Sequence, residues 1–140
     1  MLFLIIRTFL VAVLLAFCLP SFATFSKLSH FGNNPGQLSA SYYQGDNKAN
    51  DALVVLLHGC GQQGEKFAEQ SGFLAQAQHH RFSLLIPQQH SKNNGKLCFN
   101  WYSTEDHQKD AGENLSLKNM IVAMKEITGT KKVYIAGLSA

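Results

Sequence analysis

Hydrophobic residues beyond position 50 occur in short runs, and the segments between these runs have the spacing of helices. Ala52 to Leu57, Phe82 to Pro87 and Lys132 to Ala136 have the length and the apolar character of buried strands. A weaker alternation of polar and apolar residues over Gln37 to Gln44 predicts an edge strand. The pattern therefore predicts three buried strands and one strand at an edge of the sheet.

Two segments between the buried strands predict amphipathic helices. Glu65 to His80 carries apolar residues near a period of 3.6, and a long polar loop, His90 to Gly112, follows the next strand. Asp110 and Glu113 resemble a capping box at the start of the second helix, and Gly129 marks its end. The apolar face of this helix comprises Leu117, Met120, Ile121 and Met124.

The order strand, helix, strand, helix, strand favours an α/β fold with a mostly parallel sheet and crossover helices. The polar residues from Thr24 to Gly36 predict a lead-in loop. The chain is 46% hydrophobic and 15% charged, which is a composition that supports a packed core. We therefore expect one small α/β domain over residues 24–140.

The N-terminus has the pattern of an export signal. Arg7 precedes a long apolar run, and Ser21 and Ala23 are small residues at the positions that signal peptidase requires. We expect a signal peptide over residues 1–23, a secreted or periplasmic protein, and no membrane attachment after cleavage. Two alternatives are an uncleaved anchor, although a spanning helix needs about 20 apolar residues, and a lipoprotein at Cys18.

Cleavage after residue 23 would leave two cysteines, Cys60 and Cys98. An even number of cysteines in an oxidising compartment favours a disulfide. The sequence does not give the distance between them, so a disulfide and two separate buried thiols remain equally open.

Charge and histidine spacing limit the partners. Lys and Arg number 12 and Asp and Glu number 9, and this net charge of +3 is too small to indicate nucleic acid. His79, His80, His90 and His107 have no spacing typical of a metal site. We therefore expect no nucleic-acid partner, no metal and no cofactor.

A glycine-rich turn follows the first buried strand. Gly59-x-Gly61-x-x-Gly64 has the form of a dinucleotide-binding fingerprint. That fingerprint also needs an acid about 20 residues further on to bind the ribose. No Asp or Glu occurs between Glu69 and Glu105, so dinucleotide binding is only a minor alternative.

The last strand is followed by a second turn, in the sequence "VYIAGLS". A strand that leads into Gly-x-Ser is the first part of a nucleophile elbow, in which a tight turn exposes the serine hydroxyl. This pattern makes Ser139 the candidate nucleophile. In α/β-hydrolases a glycine-bearing loop after an earlier strand supplies part of the oxyanion hole, and "LVVLLHGCGQ" fits that description.

Three separated motifs, "LVVLLHGCGQ", "CFNWY" and "VYIAGLSA", resemble the esterase/poly(3-hydroxybutyrate) depolymerase family of secreted α/β-hydrolases. The resemblance runs from about Ala52 to Ala140. It implies hydrolysis of an ester substrate, either a polyester or a small acyl ester such as a feruloyl or acetyl ester. It also implies the N-terminal part of an α/β-hydrolase fold.

The resemblance also implies roles for individual residues. Ser139 is the nucleophile, and the backbone N–H groups of Cys60 and Ala140 form the oxyanion hole. His58, Gly59 and Trp101 are neighbours of the pocket. Two alternatives stay open: His58 fixes its loop structurally, and Trp101 belongs to the core of its loop.

The triad order on this fold is Ser, then acid, then His. All histidines precede Ser139, so we expect an N-terminal fragment that lacks the triad acid and base and is inactive alone. The competing functional hypothesis is a non-catalytic, exported α/β binding module.

Overall fold

A computed structural model describes residues 25–46 and 51–139. The predicted signal peptide and Ala140 lie outside these residues. Within them, five strands form one sheet in the order β1-β2-β4-β3-β5. The strands are β1 Ser26–Lys27, β2 Ser39–Tyr43, β3 Ala52–Leu57, β4 Ser83–Gln88 and β5 Lys132–Gly137.

The sheet is mixed. β3 pairs in parallel with both β4 and β5, whereas β2 pairs antiparallel with β1 and with β4. The α/β class is thus confirmed, and the three strands predicted from apolar runs form the parallel part. The predicted edge position of β2 is wrong, because Ser26–Lys27, inside the predicted lead-in loop, pairs outside it.

Two helices connect β3 to β4 where the sequence predicts one. They are α1, Gly64–Gln70, and α2, Phe73–His80. Gly72 lies between them with φ of 80°, in the left-handed region that glycine adopts without steric cost. The apolar spacing continues across this break, so periodicity alone does not locate it.

The connection from β4 to β5 contains α3, Thr104–His107, and α4, Gly112–Thr128. The predicted capping box is wrong: the N-cap is Ala111, and Asp110 instead pairs with Lys118. The Glu113 N–H donates to Asp106 Oδ1 over 3.1 Å, so a carboxylate from α3 satisfies a free amide of the first turn. The predicted stop is confirmed, because Gly129 is the left-handed C-cap.

Apolar residues of the sheet pack against helices on both faces. One core cluster joins α4 to the sheet through Met120, Met124, Leu53, Val55 and Leu85. The other joins α1 and α2 to the opposite face through Phe67, Ala68, Ala77, Leu56 and Leu84. Successive residues of β3 and β4 thus pack into opposite clusters, which confirms the prediction of strands buried on both faces. The loops that follow these strands lie at the edge of the sheet where the parallel strands end.

β5 is the most exposed of the three parallel strands. It pairs with β3 along its length, but no strand among the described residues pairs with its other edge. Tyr134 is 56% exposed and Ile135 is 67% exposed. Among the described residues, no helix has the length and apolar character needed to cross a bilayer.

Candidate functional site

The turns after β3 and β5 emerge side by side. Leu57, the last residue of β3, is aligned with Gly137, the last residue of β5. The Leu138 N–H donates to the Leu57 carbonyl over 3.3 Å, which extends the pairing one residue beyond the strands. Because parallel strands end at the same edge, the glycine-rich turn and the serine turn meet there.

Gly59 contacts the serine turn closely. A Cβ at Gly59 would lie 2.7 Å from the Leu138 carbonyl oxygen and 3.6 Å from Ser139 Cβ. The first of these distances is too short for any side chain, so only glycine permits the approach of the two turns. The structure therefore brings the predicted oxyanion loop and the predicted nucleophile together.

Ser139 has the backbone conformation of a tight turn. Its φ is 57°, in the left-handed region that residues other than glycine rarely adopt. Left-handed backbone at a non-glycine residue costs free energy and is concentrated at functional sites. Ser139 is also exposed, so the turn presents its side chain to solvent at the edge of the sheet.

Cys60 and Cys98 form a disulfide, with their Cα atoms 4.2 Å apart. Cys60 follows Gly59, and Cys98 belongs to the loop that carries Trp101. The Gly61 N–H also donates to the Lys96 carbonyl over 2.8 Å. The glycine-rich turn is thus fixed to the loop after β4 by one covalent bond and one hydrogen bond.

His58 is completely buried and both of its ring nitrogens are occupied. Nε2 accepts from the Gln89 N–H over 3.2 Å, so the proton is on Nδ1, which donates to the Gly59 carbonyl over 2.8 Å. Burial lowers the pKa of His58, against the opposing effect of the Gly59 carbonyl. The hydrogen bonds of His58 hold the glycine-rich turn from behind, which favours the structural role, and its place beside the pocket stays a prediction.

A cavity of about 260 Å³ adjoins Ser139. Leu57, Phe99, Trp101 and Leu117 supply its apolar lining, and Asn100, Asp106, His107, Glu113 and Asn114 supply polar groups. Trp101 is 65% exposed and lines this cavity, so it is not loop core. A larger cavity of about 790 Å³ lies between β2 and α1, away from the serine turn.

Glu113 is a buried residue of the site, although its sequence pattern predicts a role in helix capping. Its Oε2 accepts from the Asn100 N–H over 2.8 Å, and its Oε1 accepts from Gln89 and Asn93 side chains. Burial, reinforced by the nearby Asp106 carboxylate, raises the pKa of Glu113, while its hydrogen bonds act in the opposite direction. The sequence shows an acidic residue in the first turn of this helix, two residues past the N-cap. The spacing of Glu113 from Asp110 favours a capping box over a role in the site.

The structure gives the glycine pattern no phosphate site. The Gly64 N–H, at the start of α1, donates to Gln88 Oε1 over 2.6 Å, so the amide that a phosphate would need is already occupied. Gln88 ends β4, where a dinucleotide fold requires an acid. No group of three or more His, Cys, Asp or Glu in the described part of the chain has the arrangement of a metal site.

Comparison with known proteins gives consistent matches. The family model described as "Esterase PHB depolymerase" matches residues 38–140. Poly(3-hydroxyalkanoate) depolymerase C of Paucimonas lemoignei is 38% identical over 135 residues, which is 94% of this chain and 32% of that protein. Feruloyl esterase B of Talaromyces funiculosus is 27% identical over 122 residues, which is 84% of this chain and 34% of that protein. The chain therefore spans about a third of the length of these relatives.

A solved structure supports the fold. The acetyl xylan esterase from Aspergillus awamori superposes with a TM-score of 0.72 at 20% identity, covering 81% of this chain and 42% of that one. The predicted α/β-hydrolase type of fold is confirmed. Since the family model covers most of the chain, the protein belongs to the esterase PHB depolymerase family.

Proposed function

We propose that this chain supplies the nucleophile and the oxyanion hole of a serine carboxylic-ester hydrolase. The observation that carries the proposal is the contact between Gly59 and the turn of Ser139, whose φ is 57°. A serine in a left-handed turn, next to a glycine loop at the end of parallel strands, is the arrangement of a nucleophile elbow. The family of the chain supports the same reaction.

In the proposed reaction, Ser139 Oγ attacks the ester carbonyl and gives its proton to a general base. The carbonyl oxygen becomes an oxyanion, for which the N–H groups of Cys60 and Ala140 are the proposed donors. Collapse of the tetrahedral intermediate expels the alcohol, which takes the proton from the base and leaves an acyl-Ser139 ester. Water then attacks this ester by the same route and releases the carboxylic acid.

The acid and base of the triad are proposed to follow Ser139 in the full-length protein, meaning the complete translation product that contains residues 1–140. In α/β-hydrolases the acid and the base follow the nucleophile along the chain, and the relatives are about three times as long as the matched region. His107 lines the cavity of Ser139 but precedes the nucleophile, so we do not assign it as the base. Residues 1–140 alone are accordingly proposed to be inactive.

The substrate is proposed to be a polyester or a small acyl ester. One relative is named as a poly(3-hydroxyalkanoate) depolymerase and another as a feruloyl esterase. The apolar side chains of Phe99, Trp101 and Leu117 in the cavity suit an acyl or aryl group beside the nucleophile. We also propose export through the signal peptide at residues 1–23, which agrees with a disulfide in the mature chain.

Hydrolysis of p-nitrophenyl butyrate by the full-length protein tests the proposal. Ser139→Ala removes the only atom proposed to attack the ester, so we expect kcat to fall by at least about 1,000-fold. Ser91→Ala, at an exposed loop serine away from the turn, is the matched control and should retain wild-type kcat.

Two results would reject the assignment. If Ser139→Ala hydrolysed the ester at the wild-type rate, Ser139 would not be the nucleophile. The alternative of a non-catalytic binding module would be favoured by a different result. In that case the wild-type protein would bind a non-hydrolysable ester analogue but would hydrolyse neither p-nitrophenyl butyrate nor a polyester nor a feruloyl or acetyl ester.

A further inference from the structure

Glu113 is a buried carboxylate that the proposed reaction does not use. It lies at the second position of α4, is 4% exposed, and faces the cavity beside Ser139. The described residues supply three hydrogen-bond donors to it, and all three are neutral: the Asn100 N–H at 2.8 Å, Gln89 Nε2 at 2.5 Å and Asn93 Nδ2 at 3.3 Å. A buried carboxylate without a cation among these partners is costly, which indicates a specific role.

The donors around Glu113 require two acceptor oxygens. Oε2 receives a backbone N–H, and Oε1 receives two side-chain amides. A glutamine at this position has nearly the same shape but carries an NH2 group in place of one oxygen. Whichever way that amide turned, its NH2 group would face a donor, so at least one of these hydrogen bonds would be lost.

One path from Glu113 leads to the oxyanion loop. Gln89, held by the carboxylate through its side chain, donates its backbone N–H to His58 Nε2 over 3.2 Å. His58 in turn donates from Nδ1 to the carbonyl of Gly59, which contacts the serine turn. Every group on this path is buried, so a displacement of Gln89 is transmitted to Gly59 rather than absorbed by solvent.

The second path leads to the wall of the cavity. The Asn100 N–H bonded to Glu113 directly precedes Trp101, which lines the cavity. Gln89 Nε2 also donates to the Cys98 carbonyl over 3.0 Å, and Cys98 is bonded covalently to Cys60. The two walls of the site, the oxyanion loop and the Cys98–Trp101 segment, are thus both linked to the carboxylate of Glu113.

We propose that Glu113 is a positioning residue for ester hydrolysis, which holds the Cys60 amide and the Trp101 wall in register with Ser139. This role rests on the proposed function of the same site. It assigns Glu113 no contact with the substrate. Its effect is transmitted through Gln89, His58 and the Cys98–Trp101 segment.

The test compares Glu113→Gln with Glu126→Gln, an identical change at an exposed position of the same helix, in the full-length protein. kcat is measured per active site, titrated with a serine-reactive phosphonate, so that unfolded molecules do not contribute. We expect Glu113→Gln to lower kcat by about 10- to 100-fold with KM changed less than about 3-fold, because displaced catalytic groups act mainly in the transition state. Glu126→Gln should match wild type.

Hydrogen exchange provides a readout that needs no activity. In Glu113→Gln the amides of residues 57–61 and 98–101 should exchange at least about tenfold faster, while those of α1 and α2 are unchanged. The variant Asn93→Ala removes the longest of the three hydrogen bonds to Glu113, together with the Asn93 bonds to Gln89 and to the Gly36 carbonyl. Because the two shorter bonds to Glu113 remain, it should have a smaller effect in both assays.

Wild-type kcat per titrated site in Glu113→Gln, or unchanged exchange in both segments, would overturn the positioning role. If Glu113→Gln does not fold, Asn93→Ala decides: wild-type values in both assays overturn the role. Absence of ester hydrolysis by the wild-type protein rejects the proposed function instead, and hydrogen exchange then decides whether Glu113 holds the two walls.

Discussion

Two residues define the geometry of the candidate site. Ser139 occupies a left-handed turn, and Gly59 permits the approach of the neighbouring loop to within contact of that turn. Both were accessible from the sequence, because a tight turn and a close backbone approach each require particular residue types at fixed spacing. The contact between them depends on the pairing of β3 with β5. The sequence pattern predicts the order of strands and helices along the chain but not which strands are neighbours in the sheet.

Gly59→Ala tests the close approach. The added Cβ would meet the Leu138 carbonyl at 2.7 Å, so one of the two turns must move. We expect kcat of the full-length protein to fall about 10- to 100-fold, because small displacements of catalytic groups have effects of this size. Gly95→Ala is the control, since a Cβ there meets no atom within 4 Å. Wild-type kcat in Gly59→Ala would show that the loop does not need to approach the turn.

Glu113 marks the limit of residue-level prediction. Its spacing from Asp110 predicts a capping box, but in the structure Asp110 pairs with Lys118. The Glu113 carboxylate instead accepts hydrogen bonds from Gln89, Asn93 and Asn100. These donors lie 13 to 24 residues upstream in the chain. No local pattern reports contacts over such separations, so only the packed structure could identify this residue.

At the scale of elements, the loops after β3 and β4 behave as one unit. The disulfide between Cys60 and Cys98 closes a segment with a sequence separation of 38 and encloses α1, α2 and β4. A covalent link of this span restricts the unfolded chain more than the folded one. It therefore stabilises the whole segment between the loops after β3 and β4, as well as the geometry of the loops themselves.

Removal of the disulfide should lower the free energy of unfolding. For a closed loop of this length the chain-entropy model gives a loss of about 4 kcal/mol in the double variant Cys60→Ser/Cys98→Ser. Urea unfolding of the oxidised protein and the double variant measures the difference. Dithiothreitol should destabilise wild type and leave the double variant unchanged; equal stability of the two oxidised proteins would contradict a stabilising bond.

Element prediction succeeded where burial dominates and failed where single residues or distant pairing decide. The apolar runs of β3, β4 and β5 are specified by burial on both faces. The break at Gly72 interrupts a continuous helical pattern, and Ser26–Lys27 is too short to have any pattern of its own. Its pairing with β2 is set by tertiary contacts, which local propensity does not encode.

At the scale of the whole molecule, helices cover both faces of the sheet and leave the loop-bearing edge to the site. His58 lies beneath that edge, with its ring centroid 5.0 Å from that of Phe99, and its described hydrogen-bond partners, the Gly59 carbonyl and the Gln89 N–H, are both uncharged. Since burial lowers its pKa, the folded state holds the neutral form while the unfolded state binds a proton more readily. This difference links the fold of the entire molecule to pH.

The free energy of unfolding should fall as pH drops below the unfolded pKa of His58, 6.5, because the unfolded state then takes up the proton. Glu113 acts in the opposite sense: its raised pKa favours the folded state as pH falls toward the ordinary value of 4.5. The Asp106 carboxylate contributes to this raised pKa, and Gln89 connects Glu113 to His58 through hydrogen bonds.

Urea unfolding at several pH values between about 5 and 8 distinguishes the contributions of His58 and Glu113 to the free energy of unfolding. This range includes the ordinary pKa of histidine and approaches that of glutamate. His58→Gln cannot titrate, so its stability should decrease less than that of wild type between pH 7 and pH 5. Glu113→Gln should show a steeper decrease over the same range, since it lacks the opposing contribution. Parallel curves for wild type and His58→Gln would contradict a buried neutral histidine.

The occupied imidazole of His58 has a consequence for chemical labelling. Reagents such as diethyl pyrocarbonate acylate an accessible, unprotonated ring nitrogen. In His58 the unprotonated Nε2 already accepts the Gln89 N–H, and the side chain is shielded from solvent. Inactivation of the folded protein by such a reagent would accordingly report on a different histidine.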